Sequence, residues 1–132
     1  NYSGIDLTPK MVSRARQRFP EVNFSTGSID ELAAKQIGIY DFVLASGVFA
    51  HRQLHANEFL QQSIQEMFAV AGKALAFNCL SSWREEKDEG EFYADPAETL
   101  NFCQSLSKRV LLRHDYHMGD FTIYLYHEDS QR

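Results

Sequence analysis

The stretch YSGIDLTPKMV, Tyr2 to Val12, decides the fold. Tyr2 to Asp6 reads as a short apolar strand that stops at an acid. Thr8 suits a helix N-cap, and Pro9 suits the first helical position, where its missing N–H costs nothing. Met11, Val12, Ala15 and Phe19 recur at helical spacing and predict a buried stripe, with Arg14, Arg16, Gln17 and Arg18 filling the other face. Pro20 ends the helix. A strand that runs through a tight turn into a helix is the repeating unit of an α/β domain.

Working outward, the alternation continues. EVNFST (Glu21 to Thr26) is a strand, and DELAAK (Asp30 to Lys35) is about one helical turn. YDFVLASG (Tyr40 to Gly47) carries a continuous apolar run, Phe42 to Ala45, which predicts a strand covered on both faces in a parallel sheet. A helix over Asn57 to Val70 buries Leu60, Ile64, Met67, Phe68 and Ala71, with Gly72 as its stop. KALAFNCL (Lys73 to Leu80) is a buried strand. SSWREEKDEGEFY (Ser81 to Tyr93) is acidic and reads as a solvated loop. Asp95, Pro96 and Glu98 form an N-cap, first-turn proline and capping acid for a helix to about Leu106. RVLLRHDY and FTIYLYH are strands separated only by HMGD, so they are antiparallel. The fold class is therefore α/β, with a mostly parallel sheet, helices on both faces and a C-terminal antiparallel hairpin.

Bulk properties agree. The chain has 132 residues, enough for one domain over residues 1–132. Hydrophobic residues make up 44% and charged residues 23%, ordinary for a globular protein. A net charge of −5 argues against a broad nucleic-acid surface. No apolar run is long enough to span a bilayer, and no charged-then-apolar leader opens the chain, so a cytoplasmic protein is expected. Cys79 and Cys103 sit in apolar surroundings and are expected to be buried free thiols.

Asp6 stands at the carboxyl end of a strand, where open α/β sheets bind ligands. A carboxylate there either accepts hydrogen bonds from two vicinal hydroxyls, as on a ribose, or merely closes the strand–helix turn. The ordered succession GIDLTPKMVSRAR, FSTGSIDEL, YDFVLASGVF, FNCLSS and a terminal hairpin resembles the class I S-adenosylmethionine-dependent methyltransferases, whose fold is a Rossmann-like three-layer sandwich. ASGVF, FNCLSSW, FYADP and LLRHDY...GDFTIYL look closest to a bacterial group of that family. In the family a first strand and a glycine-rich turn precede the position of Tyr2. The resemblance therefore implies that this chain is the portion from the second strand onward, inactive alone, with S-adenosylmethionine as the parent's cofactor.

Residue by residue, Asp6 matches the acid that holds the ribose hydroxyls, and Leu7 the apolar residue beside the adenine. The family's acid after the third strand is absent; Gly27-Ser28 stands in its place, so Ser28 and Ile29 are the adenine-side candidates. Ala45, Ser46 and Gly47 match the turn beneath the methionine and sulfonium, where small residues let a ligand approach the backbone. Phe49 is a candidate wall of the transfer cavity or plain core. Tyr93, in a loop on the acceptor side, is a weaker substrate candidate.

Placement supplies much of the rate of an in-line methyl transfer, and an oxygen nucleophile also needs a base. His51 and His55 follow the fourth family strand and are the base candidates. On a helix their spacing shares a face, as in zinc sites. The HExxH glutamate is missing, Arg52 is a poor neighbour for a cation, and no metal is expected. The acceptor, by resemblance, is a small molecule.

Two competing readings remain. One is a non-catalytic, self-associating module. Without a central strand, two neighbours expose unpaired N–H and C=O groups, each costing roughly 1–3 kcal/mol if buried. Either those strands close up together or another copy supplies a strand, giving a homodimer. The other reading is a nicotinamide-binding domain, which also places an acid after its second strand; the closing hairpin argues against it.

Overall fold

The computed structural model describes residues 1–35 and 40–128. They fall into two compact units, one ending at Gln36 and one beginning at Ile37.

The first unit is a βαβα run. β1 (Ser3–Asp6) pairs in parallel with β2 (Asn23–Thr26), in the register Gly4 with Phe24 and Asp6 with Thr26. Gly4 is required there: a Cβ on it would stand 2.6 Å from Cδ1 of the Phe24 ring. α1 (Pro9–Arg18) connects the strands, and α2 (Ile29–Lys35) follows β2. Thr8 occupies the N-cap position without a side-chain cap. Instead, its own N–H donates to Asp6 Oδ1 at 2.7 Å, so the acid two residues earlier sets the turn. Of the expected stripe on α1, only Val12 is buried; Met11 and Phe19 are exposed.

The second unit carries the larger core. Its sheet has the order β3-β4-β7-β6, with β5 beside β4. β3 (Tyr40–Ala45) pairs in parallel with β4 (Ala71–Ser81). β7 (Asp120–Tyr126) lies antiparallel between β4 and β6 (Arg109–Arg113). β5 (Tyr93–Ala94) is a short parallel strand at the end of β4, where the sequence suggests only loop. α3 (Ala56–Val70) and α4 (Pro96–Leu106) pack against the sheet and against each other. Asp95 caps α4 through its side chain, which accepts the Glu98 N–H at 2.9 Å. Phe77, Phe121, Ile123 and Leu125 alternate along β4 and β7 into the core, meeting Leu60 and Ile64 in the same fully buried set.

Two expectations are corrected. Gly72 does not stop α3: Ala71 is already extended, and Gly72 lies inside β4. Helix and strand abut because Ala71 takes φ −80° and ψ 130°, a turn that needs no glycine. β3 is not covered on both faces, since Phe42 is 63% and Leu44 74% exposed. Within its own unit, β1 has β2 as its ladder partner and β3 has β4 among the described residues.

Candidate functional site

In the first unit, parallel pairing brings the carboxyl ends of β1 and β2 to one edge. Asp6 ends β1, and its carbonyl accepts the Gly27 N–H at 3.0 Å, tying the two strand ends together. One carboxylate oxygen holds the Thr8 turn, and the other has no partner among the described residues. Asp6 is exposed, and it forms no salt bridge among the described residues. Arg16 spends its side chain on the Phe24 carbonyl at 2.8 and 3.2 Å. Leu7 is 69% exposed beside it. The nearby Ser28 hydroxyl holds the Asp30 carboxyl below its ordinary value. Ser28 and Ile29, at the start of α2, are both half-buried.

In the second unit the edge is built around the end of β3. Ala45 is buried, and Ser46 and Gly47 turn outward. Gly47 takes φ +72°, the left-handed region, and a Cβ there would meet nothing within 4 Å. Asn78 of β4 holds this turn: its Oδ1 accepts the Gly47 N–H at 2.8 Å and its Nδ2 donates to Ser46 Oγ at 3.2 Å. Leu44, Ala45, Ser46, Asn78 and Thr122 line a shallow, open depression. Sequence reading passed over Asn78, although a lone amide inside the apolar run ALAFNCL was its visible signal.

The remaining candidates are placed less favourably. Phe49 is 4% exposed and packs edge-on against Phe59 and Phe77, as core does. The Tyr93 hydroxyl accepts the Asp88 N–H and donates to Glu91, so it orders the acidic loop. His51 forms a bridge to Glu91, and His55 is the left-handed residue that precedes α3, at φ 59°. The two histidines therefore do not share a helix face. No cluster of three His, Cys, Asp or Glu side chains suited to a metal occurs among the described residues. Cys79 and Cys103 are buried free thiols, each pushed up to about 12 by burial. No described helix is long and apolar enough to cross a membrane.

A family model described as a methyltransferase domain matches residues 1–73. The "Putative methyltransferase Rv1506c" of Mycobacterium tuberculosis is 30% identical over 131 residues, covering 93% of this chain and 76% of that protein. Among solved structures, magnesium protoporphyrin IX methyltransferase from Synechocystis PCC 6803, with bound SAH, superposes at a TM-score of 0.72 with 16% identity. That likeness covers 96% of this chain and 64% of that one, so the chain spans under two thirds of that enzyme's length. A SAM dependent methyltransferase from Archaeoglobus fulgidus gives a TM-score of 0.71 at 11% identity, over 95% of this chain and 75% of that one. At such identities these structures attest the Rossmann-like α/β fold. The family match over more than half the sequence, together with the mycobacterial relative, carries the assignment: the chain belongs to the S-adenosylmethionine-dependent class I methyltransferases.

Proposed function

We propose that residues 1–132 act as one domain in methyl transfer from S-adenosylmethionine to a small-molecule acceptor. The observation that carries this is the Asp6 carboxylate: exposed at a strand's carboxyl end, with one oxygen fixing the turn and the other unpartnered. Each unit, taken by itself, offers groups suited to part of the cofactor. A half-committed carboxylate accepts hydrogen bonds from vicinal hydroxyls, and Leu7 offers an apolar wall for the adenine. Ser28 and Ile29 serve the adenine side. Ala45, Ser46 and Gly47, held by Asn78, offer open backbone to the sulfonium end. When bound, S-adenosylmethionine supplies an electrophilic methyl group. The chain's part is to place the acceptor in line and to exclude water. His51 and His55 are the base candidates for an oxygen nucleophile; Phe49 and Tyr93 support the site through packing and loop order. Reduced, buried thiols suit a cytoplasmic setting, and the net charge of −5 suits a partner other than nucleic acid.

Calorimetric titration with S-adenosylhomocysteine, S-adenosylmethionine and NAD tests the reading. The first two are expected to bind and NAD to fail; binding of NAD alone overturns it.

A second reading has its own support. Phe42 and Leu44 project from the β3 edge at 63% and 74% exposure, a surface suited to self-association. A non-catalytic, self-associating module, dimeric by light scattering and silent toward all three ligands, would follow from it.

A further inference from the structure

We propose that the edge of the second unit, beyond β4 and β6, holds an aromatic carboxylate between Trp83, Arg84 and His114, and that this ligand is the methyl acceptor. The acceptor assignment rests on the methyltransferase reading; the binding site does not.

β6 and β4 both run antiparallel to β7, so their carboxyl ends share one edge, the one where β3 also ends. Ligands of open α/β sheets gather there. Ser81 closes β4 and is fully buried. Its Oγ accepts the Trp83 N–H at 3.1 Å and lies 2.7 Å from His114 Nε2. Donation to Nε2 gives the buried Ser81 hydroxyl proton an acceptor, and the reverse direction leaves that proton without one among the described residues. The neutral His114 ring then carries its proton on Nδ1.

Nδ1 has no hydrogen-bond partner among the described residues. No sealed, unpaired side-chain nitrogen occurs among them either, so Nδ1 opens to solvent. The ring is held edge-out by aromatic faces: Trp83 stacks on it at 5.1 Å and 6°, and Phe121 backs it at 6.1 Å and 26°. Trp83 remains 58% exposed, leaving indole surface for a second ring.

Arg84 adds the charge. Its Cδ and Nε lie 3.0 and 3.2 Å from where a Cβ on Gly119 would stand, and the Gly119 carbonyl accepts the Ser81 N–H at 2.8 Å. The half-buried Arg84 guanidinium has no ion-pair partner among the described residues. Asp115 pairs instead with Arg113 at 2.9 Å, and Glu91 takes the Tyr93 hydroxyl. A neutral donor, an uncommitted guanidinium and an exposed indole plane, all set around Ser81, suit a flat ring bearing a carboxylate.

Trp83 is the chain's single tryptophan, so its emission reports this spot alone. Titration with benzoate is expected to change that emission saturably, and benzamide and cyclohexanecarboxylate to bind about tenfold more weakly. Arg84→Gln and His114→Gln should each weaken benzoate about tenfold. His114→Asn, whose amide nitrogen sits near the Nδ1 position, should restore affinity to within about threefold. Nitrogen-15 NMR of the unmutated chain should find neutral His114 protonated on Nδ1, which needs no variant to fold. A neutral ring protonated on Nε2, no benzoate response, or a response unchanged in Arg84→Gln overturns the site. Benzoate binding by a chain that ignores S-adenosylhomocysteine upholds the site and overturns the acceptor assignment.

Discussion

The Asn78 side chain and the Gly47 backbone form one joint: the Asn78 carbonyl oxygen accepts the Gly47 N–H at 2.8 Å, fixing where β3 stops relative to β4. The companion bond from the same amide to Ser46 Oγ makes the grip two-pointed. Asn78→Leu should cost about 1 kcal/mol of stability, the usual net worth of such bonds. It should lower S-adenosylhomocysteine affinity by more than that loss implies, because the turn is released. Asn78→Asp keeps the acceptor for Gly47 and should retain most of the affinity. Calorimetry on both variants decides; equal affinities in wild type and Asn78→Leu would remove Asn78 from the site.

Asp6 separates a structural role from a binding one. Asn in its place still accepts the Thr8 N–H, so Asp6→Asn should leave stability within about 0.5 kcal/mol. Losing a charged acceptor should weaken S-adenosylhomocysteine about tenfold. Urea melts and calorimetry measure the two effects independently.

Gly4 and Phe24 are coupled by shape. Gly4→Ala drives a Cβ into the Phe24 ring, 2.6 Å away, and should destabilise the first unit by about 1–3 kcal/mol. Phe24→Leu makes room, so the double variant should lose less than the sum of the single losses. Strict additivity in denaturant melts would show that the two side chains do not meet.

Burial raises the Cys79 and Cys103 thiols from 9.0 to about 12. The unfolded chain therefore releases these protons first as pH climbs. Stability should be flat with respect to them below pH 9 and fall between pH 9 and about 12. Each thiol contributes a slope of up to ~1.4 kcal/mol per pH unit. Cys103→Ala should halve the thiol part of that slope, and both native thiols should resist a disulfide reagent at pH 8 until the chain unfolds.

Much of this molecule is legible from residue order. Asp95, Pro96 and Glu98 state the start of α4, and the short HMGD segment between the last two expected strands compels a hairpin, because both signals are local. The buried face of α3 is equally plain, since Leu60, Ile64, Met67 and Phe68 repeat at the helical period. Gly72 misled because glycine permits a left-handed stop without requiring one. Phe42 and Leu44 misled because an apolar run shows that a strand prefers cover, and only neighbours supply it. At the candidate site, Asp6 stood out by its place at a strand end, and Leu7 and the Ala45–Gly47 turn by the family resemblance. Asn78, Ser81 and His114 were not, because each acts on a partner far away in the chain.

The sequence by itself determined the alternation of strands and helices, the caps, the closing hairpin and the acid after β1. These depend on periodicity and on contacts within a few residues. Tertiary structure alone decided that Asn78 meets Gly47 and that Ser81 meets His114, 33 residues away. It also decided that Phe49 belongs to the core. Strand pairing brings distant residues to one edge, and which ones arrive there follows from the order and register of the sheet.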